Sequence, residues 1–319
     1  MPNDLSTAPL LDPRKFQNPD FTADGAERAI VGLTHLRTLW FNTGTLCNLT
    51  CLDCYIESSP TNDRLSYLTQ AEVISYLDEI KSEGLKVEEI AFTGGEPFMN
   101  PNIISMIEVS LEQGFEVLVL TNAMKPMQHR KPELLKLKEQ FGSKLSLRIS
   151  IDHHTPAGHE ELRGRGNWQP MIEGLTWAAS NGLNVTAAGR QRWGESEADT
   201  RAAYAQLFKE IAVEIDADDP LALVLFPEMN EGLDVPEITI ACWEILGVRP
   251  DAMMCATSRM IVKRKDADHP VVTPCTLLPY DTQFELGHGL TEAANSVKLN
   301  HPHCARFCVL GGGSCSVAN

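Results

Sequence analysis

Three cysteines lie close together near the start of the chain, in the segment TLCNLTCLDCYIE at residues 45–57. They are Cys47, Cys51 and Cys54, with the spacing CxxxCxxC. A structural zinc site normally uses four ligands, and this segment has neither a histidine nor a fourth cysteine. Three thiolates can instead hold a [4Fe–4S] cluster and leave one iron open to another ligand. The spacing therefore indicates an iron–sulfur site that also binds a second molecule.

Five of the nine cysteines follow residue 250: Cys255, Cys275, Cys304, Cys308 and Cys315. The chain begins MPNDLSTAPLLDPRKF, without the basic start and apolar run of a signal peptide. We therefore expect a cytoplasmic protein with reduced thiols, in which clustered cysteines favour metal binding over disulfides. A zinc site is the main alternative for this second group. The ninth cysteine, Cys242, lies in the apolar run ITIACWEIL and is predicted to be a core residue.

The amino-acid composition and the net charge exclude several classes of protein and of binding partner. Of 319 residues, 43% are hydrophobic and 22% are charged, which is typical of a globular protein. No window contains eighteen consecutive apolar residues, so no membrane partner or span is expected. The net charge of −16 argues against a nucleic-acid partner, because no basic field would attract phosphate.

Strands and helices alternate in the predicted elements that position these residues. Strands are predicted at 36–44, 88–95, 116–122, 145–152, 184–190 and 222–228, and helices at 69–84, 101–114, 132–141, 168–182 and about 197–213. Thr69 and Glu72 form a capping box at the start of the first helix. The alternation predicts an α/β fold with a parallel sheet. The carboxyl ends of its strands should then collect the chemistry at one edge.

Two motifs in order carry a resemblance to a known family. CNLTCLDCY, followed by TGGEP at residues 93–97, resembles the signature of the radical S-adenosylmethionine (SAM) enzymes. The resemblance covers roughly residues 36 to 228 and implies a partial (βα)6 TIM-like barrel. It implies that the three cysteines ligate a [4Fe–4S] cluster whose open iron binds SAM. Reduction would then cleave SAM into methionine and a 5′-deoxyadenosyl radical, which takes a hydrogen atom from the substrate.

The resemblance also implies which residues contact SAM. They are Gly94, Gly95 and Glu96 for the methionine amino group, Tyr55 for the adenine, Asn122 and Ser150 for the ribose, and Arg190 for the methionine carboxylate. Glycines suit a close approach of backbone to ligand, and a guanidinium matches the two oxygens of a carboxylate. Simple hydrogen bonding at strand ends is the alternative for the last three residues.

The stretch SIDHHTPAGHEELRGRG at residues 150–166 resembles a further segment of the same family. His159, Arg163 and Gly164 fit it, whereas His153 replaces the usual glycine. His153 and His154 are interpreted either as acid/base or binding groups that face the substrate, or as solvated loop residues.

The C-terminal segment resembles the twitch or SPASM extensions of this superfamily. It combines a predicted hairpin, residues 258–265 and 271–275, with the later cysteines. The resemblance implies an auxiliary [4Fe–4S] cluster, for which Cys255, Cys275, Cys304 and Cys308 are the preferred ligands and Cys315 the alternative. The predicted organisation is an N-terminal extension at 1–34, a barrel at 35–240 and an auxiliary cluster domain at 241–319.

The expected reaction is hydrogen abstraction from a small molecule or a peptide. An auxiliary cluster would accept an electron from the substrate radical or ligate the substrate, and a flavodoxin or ferredoxin would supply electrons. The 34-residue extension is too short for a winged-helix module that grips a leader peptide, which favours a small molecule or a peptide delivered by another protein. The alternative is a non-catalytic iron–sulfur sensor or electron carrier, against which TGGEP and Tyr55 argue.

Overall fold

The structure is a computed structural model that describes residues 9–191, 194–227 and 229–312. Its strands are β1 (Ile30–Val31), β2 (Thr38–Asn42), β3 (Glu89–Thr93), β4 (Glu116–Thr121), β5 (Leu145–Asp152), β6 (Asn184–Arg190), β7 (Leu223–Phe226), β8 (Ser258–Val262), β9 (Val271–Thr273) and β10 (Val297–Lys298). Its helices are α1 (Gln70–Ser82), α2 (Ile103–Glu112), α3 (Lys125–Gln128), α4 (Lys131–Phe141), α5 (Pro156–Arg163), α6 (Trp168–Ser180), α7 (Glu197–Glu210) and α8 (Cys242–Leu246).

Eight strands form one sheet in the order β7-β6-β5-β4-β3-β2-β8-β9. Strands β2 to β7 are parallel and follow one another in chain order. Helices connect successive strands of this group, which is the arrangement of a partial (βα)6 barrel. The predicted α/β fold is confirmed, because each of these six strands and the five predicted helices, α1, α2, α4, α6 and α7, lies where the alternation predicted it.

Local sequence signals explain how α1 begins and which face it buries. The Thr69 hydroxyl accepts the Glu72 amide at 3.3 Å, and the Glu72 carboxylate accepts the Thr69 amide at 2.8 Å. The predicted capping box is therefore present. The residues of α1 that are buried against the sheet are Val73, Tyr76, Leu77 and Ile80.

The C-terminal hairpin is present but is not detached from the barrel. Strand β8 pairs antiparallel with β9 and parallel with β2, with Thr38 opposite Ser258. Strand β2 would otherwise have one edge without a neighbour, and β8 covers that edge. The separate small module expected from the sequence thus shares the main sheet, and the boundary at residue 240 stays a prediction.

The N-terminal extension packs along the surface of later segments. Strand β1 pairs with β10, and Leu10 forms an isolated bridge with Leu233. Within the interface, the Arg28 guanidinium donates to the Glu237 carboxylate at 2.6 Å, and both side chains are buried. The described part of the extension therefore packs against later segments of the chain.

Two short helices were not predicted: α3 and α5. Each has eight residues or fewer, so its hydrophobic periodicity is too short to read from the sequence. The short helix α8 lies in the apolar run ITIACWEIL, whose pattern is helix-like. Cys242, predicted to be a core residue, is only half-buried at the start of α8. Among the described residues, no helix combines the length and apolar character needed to cross a membrane.

Candidate active site

A cleft opens at the carboxyl ends of β2 to β6 and encloses about 690 Å³, including its mouth. Nine of the predicted site residues line it: Cys47, Cys51, Cys54, Tyr55, Gly94, Gly95, Asn122, Ser150 and Arg190. The tertiary structure therefore brings together residues that are up to 143 positions apart in sequence.

Backbone hydrogen bonds hold the cysteine loop that follows β2. The Cys47 amide donates to the Ser59 carbonyl at 3.0 Å, and the Leu52 amide donates to the Leu162 carbonyl at 2.7 Å. The Leu49 amide also points at the Cys47 sulfur, at 3.4 Å. An amide directed at sulfur suits a thiolate or a cluster ligand.

The three thiols of the loop are free; Cys47 is buried, and Cys51 and Cys54 are half-buried. Burial raises the pKa of Cys47 to about 12. Burial also raises the pKa of Cys51, although the nearby Arg163 guanidinium opposes that shift. Without metal these two thiols are therefore neutral at pH 7, and binding of a metal group would release their protons. The donor set, three converging cysteine sulfurs in one cleft, fits an iron–sulfur cluster.

Gly94 and Gly95 let the loop after β3 lie directly against the cysteine loop. A Cβ on Gly95 would lie 2.1 Å from the Leu46 carbonyl oxygen, and Gly94 has a φ of +135°. The Gly95 amide donates to the Gly44 carbonyl at 2.8 Å. No larger residue fits there without displacing backbone, so both glycines position the cysteine loop as well as line the cleft.

Glu96 is buried behind the cleft and is not among its lining residues. Its carboxylate accepts the Thr121 hydroxyl at 2.8 Å and the Asn122 amide at 2.9 Å. Burial raises the pKa of Glu96 to about 7, although these hydrogen bonds oppose the shift. The side chain therefore ties β3 to the end of β4, and its contact with the amino group of SAM stays a prediction.

Asn122 and Ser150 line the cleft at the ends of β4 and β5, as the strand-end argument predicted. The Asn122 amide nitrogen donates to the Asn48 side-chain oxygen at 2.9 Å. Its own oxygen accepts the Met124 amide at 3.0 Å. Asn122 is thus held by the cysteine loop on one side and by its own loop on the other.

Arg190 reaches the cleft from the end of β6 and is 8% exposed. One terminal nitrogen donates to the Asp53 carbonyl at 3.4 Å. Its Nε is buried and has no hydrogen-bond partner among the described residues. A buried donor without a partner is costly, so the guanidinium has hydrogen-bonding capacity left for an anionic ligand.

Asp152 and Arg163 form a buried ion pair in the cleft wall that was not assigned a role from the sequence. Arg163 Nε donates to the Asp152 carboxylate at 2.7 Å. Burial would raise the pKa of Asp152, but Arg163 and Arg190 lower it. The register of β5 shifts between Ser150 and Asp152, and a bulge at this point turns the carboxylate toward Arg163. In the sequence, the match of Arg163 and Gly164 to the family segment was the available signal. Asp152 lies 11 positions before Arg163, which is too far for a local pattern to indicate the ion pair.

The C-terminal cysteines form a second group, well separated from the cleft in sequence. Four of them line one small apolar cavity: Cys255, Cys275, Cys304 and Cys308. Burial raises the pKa of Cys255 to about 11, and burial also raises the pKa of Cys304 well above its usual value. These four are the preferred set of the sequence analysis, whereas Cys315 lies outside the described residues.

Comparisons with known proteins bear on the region that builds the cleft. Residues 41–189 match the model of the Radical SAM superfamily. This chain contains a radical SAM domain. The matched range includes the three loop cysteines, the TGGEP segment and the Asp152–Arg163 pair, and it ends one residue before Arg190.

The radical SAM domain has curated relatives and a wider structural likeness. Over 143 residues the chain is 32% identical to the antilisterial bacteriocin subtilosin biosynthesis protein AlbA of Bacillus subtilis, covering 44% of this chain and 30% of AlbA. Over 126 residues it is 30% identical to an S-adenosylmethionine-dependent nucleotide dehydratase of Selenomonas ruminantium, covering 40% and 43%. These matches span less than half of either relative's length.

The structure of Streptococcus suis SuiB bound to S-adenosylmethionine is similar over 80% of this chain and 63% of SuiB. The TM-score is 0.57 and the sequence identity is 12%. At that identity the likeness concerns the fold, and it extends past the radical SAM domain because the domain match covers residues 41–189 alone. The prediction of a TIM-like partial barrel is confirmed.

Proposed function

We propose that this chain cleaves SAM reductively and uses the resulting radical to take a hydrogen atom from a substrate. The observation that carries the proposal is the convergence of Cys47, Cys51 and Cys54 with Arg190 and the two glycines in one cleft. The radical SAM domain supports it, because members of this family hold a [4Fe–4S] cluster and SAM. When bound, the cluster supplies the electron that cleaves SAM to methionine and a 5′-deoxyadenosyl radical.

Different residues of the cleft bind the cluster and the different parts of SAM. The three cysteines hold the cluster, and Gly94 and Gly95 let the chain approach the methionine part closely. Arg190 binds the methionine carboxylate with its unpaired buried Nε, since a guanidinium and a carboxylate form charge-assisted hydrogen bonds. Tyr55 lies beside the adenine, and Asn122 and Ser150 bind the ribose. Glu96 holds Asn122 in place through its main-chain amide.

A second [4Fe–4S] cluster is held by Cys255, Cys275, Cys304 and Cys308. The four line one apolar cavity, and four thiolates are the usual ligand set for such a cluster. Arg259 is buried beside them, and its guanidinium donates to the Cys255 carbonyl at 2.6 Å. Its positive charge offsets part of the negative charge of the thiolates. The cluster either takes an electron from the substrate radical or ligates the substrate.

The substrate is a peptide or a small molecule. The name of one relative concerns the biosynthesis of a bacteriocin, and the name of the other concerns a nucleotide dehydratase. The first name supports a peptide substrate, and the second supports a small-molecule substrate. A flavodoxin or a ferredoxin in the cytoplasm supplies the electrons. No nucleic-acid or membrane partner is proposed.

The test is SAM cleavage under strict anaerobic conditions, with reconstituted protein, dithionite and SAM. We compare the wild type with a Cys47→Ala/Cys51→Ala/Cys54→Ala variant and with a Cys255→Ala/Cys304→Ala variant. Products are measured by mass spectrometry and iron by a colorimetric assay. The wild type should form 5′-deoxyadenosine and hold about eight irons, and each variant should keep about four.

The two variants separate the two halves of the proposal. The first should form no 5′-deoxyadenosine, whereas the second should still form it, because the cluster that cleaves SAM remains. A fully loaded wild type whose electron paramagnetic resonance spectrum does not change when SAM is added would overturn the assignment. A wild type with about four irons would remove the second cluster from the proposal.

A further inference from the structure

Two histidines and a glutamate meet beside the cleft, although the sequence separates them by about forty positions. His153 Nε2 lies 3.6 Å from one oxygen of the Glu195 carboxylate, and His154 Nδ1 lies 4.0 Å from the other. The three donor atoms all lie within 4.8 Å of one another. We propose that His153, His154 and Glu195 bind a divalent transition-metal ion, a site additional to the iron–sulfur clusters of the proposed function.

The spacing of the donors is close to that of a filled site. Two donors at about 2.1 Å from a tetrahedral zinc ion lie about 3.4 Å apart. The 3.6 and 4.0 Å between imidazole nitrogens and carboxylate oxygens exceed this by a few tenths of an ångström, and the two imidazole nitrogens lie within 4.8 Å of each other. Small rotations of the Glu195 side chain close that gap, because the carboxylate ends a flexible chain.

The chain offers the ion a buried nitrogen and a carboxylate. His154 Nδ1 is buried and has no hydrogen-bond partner among the described residues. A buried polar atom without a partner is costly, and an ion bound there would remove that cost. The Glu195 carboxylate supplies a negative charge beside it.

The surroundings hold the His153 ring in one orientation. A Cβ on Gly158 would lie 2.4 Å from that ring, so the glycine makes room for it. His153 Nδ1 lies 2.8 Å from the Thr155 hydroxyl and 3.0 Å from the Thr155 amide. The Thr155 amide donates to Nδ1, which leaves the ring proton on Nε2. Binding of the ion at Nε2 therefore moves that proton to Nδ1, where it donates to the Thr155 hydroxyl, and the Thr155 amide gives up its acceptor. Ligating histidines usually have such an oxygen partner for their second nitrogen.

The ligand types and their exposure suggest the ion and its role. Side-chain exposure rises from 9% at His153 through 17% at His154 to 35% at Glu195, so an ion can enter from the glutamate side. Imidazole and carboxylate ligands suit Zn²⁺ or Fe²⁺ better than Mg²⁺ or Ca²⁺. Three protein ligands leave a position open.

The metal site adjoins the wall of the SAM cleft along the chain. His153 follows Asp152, which lines the cleft. The buried Tyr204 ring is 5.9 Å from the His154 ring. The ion would therefore fix the end of β5, which carries Asp152.

Zinc binding to the holoenzyme tests the proposal without any need for activity. Protein with its clusters loaded is dialysed anaerobically against buffered Zn²⁺, and bound zinc and iron are counted by mass spectrometry. The variants are His154→Ala and Glu195→Gln, and the matched control is His35→Ala, which removes an exposed histidine. The wild type and the control should bind about one zinc per chain, and both variants should bind it roughly tenfold more weakly or worse.

Iron content and the SAM-induced change in the cluster spectrum are measured in the same samples. Both should be equal in all four proteins, which separates this site from the iron–sulfur chemistry. Zinc binding that is equally tight in the wild type, His154→Ala and Glu195→Gln would overturn the proposal. So would a wild type that binds no zinc while its clusters are intact.

Discussion

Glu96 shows how burial can give one carboxyl group an unusual protonation equilibrium. The side chain is 2% exposed and still accepts from Thr121, from the Asn122 amide and from the Phe98 amide. Burial dominates and raises its pKa to about 7, from an ordinary value of 4.5. The neutral form is therefore favoured by folding, and ionisation of Glu96 in the folded chain costs stability.

Replacement of Glu96 by glutamine should give a pH-dependent change in stability. The neutral Glu96 carboxyl group contributes to the free energy of unfolding. This contribution is fully present below pH 4.5 and is lost as the pH rises through 7. The free energy of unfolding of the wild type should therefore fall relative to that of Glu96→Gln over this range, by up to about 3 kcal/mol. Urea unfolding of the metal-free chain at several pH values measures the difference.

The exposed Glu112 provides the control for this experiment. The difference between the wild type and Glu112→Gln should stay nearly constant from pH 4.5 to 8, because no buried carboxyl group is removed. If the Glu96→Gln difference is equally flat, the carboxyl of Glu96 is not held in its neutral form by burial.

At the scale of elements, the site depends on the contact between the loops after β2 and β3. The Glu96 amide donates to the Leu46 carbonyl at 3.1 Å, next to the Gly95–Gly44 hydrogen bond. The cysteine loop therefore has its backbone fixed by the neighbouring loop before any metal binds. Preorganised ligands of this kind lower the entropy cost of assembling a metal site.

Substitution of Gly95 by alanine should disrupt the first cluster and spare the second. The added Cβ would lie 2.1 Å from the Leu46 carbonyl oxygen, so the cysteine loop must move. Iron content should fall from about eight to about four per chain, and the SAM-induced spectral change should disappear. Anaerobic reconstitution followed by iron analysis measures both.

Gly32→Ala is the matched control, because a Cβ there meets its nearest neighbour, the Ser296 hydroxyl, at 3.8 Å. This variant should load both clusters normally. Full iron content in Gly95→Ala would mean that the cysteine loop does not need this close backbone contact.

The whole molecule is joined across its predicted domain boundary. The parallel pairing of β8 with β2 runs from Thr38 opposite Ser258 to Phe41 opposite Ile261. The N-terminal extension adds the buried ion pair between Arg28 and Glu237 and the pairing of β1 with β10. The C-terminal segment thus completes the sheet of the barrel.

Truncation after residue 240 should therefore give a chain that does not stay folded as a monomer. Removal of β8 exposes the full edge of β2, and unpaired strand edges promote aggregation. Gel filtration and circular dichroism of the fragment 1–240 should show aggregation or loss of cooperative unfolding.

The full-length chain with Cys255→Ala/Cys304→Ala is the control, because it loses cluster ligands and keeps the strand. It should remain monomeric if the strand, and not the cluster, is what matters. A monomeric, cooperatively unfolding fragment 1–240 would contradict this account and make the C-terminal segment an independent domain.

The sequence by itself determined the chemistry of the loop cysteines and the order of the elements. Cysteine spacing and the TGGEP segment are local patterns, and the strand and helix periods of β2 to β7 depend on residues a few positions apart. The same local signals placed Asn122, Ser150 and Arg190 at strand ends, and all three line the cleft.

The tertiary structure alone decided which distant side chains meet. The Asp152–Arg163 pair depends on the bulge in β5 and on a helix of eight residues. The approach of Glu195 to His153 depends on how the segments after β5 and β6 pack. The union of β8 with β2 depends on an edge that exists only in the folded sheet. These contacts join positions far apart in the chain, so no local period or spacing encodes them.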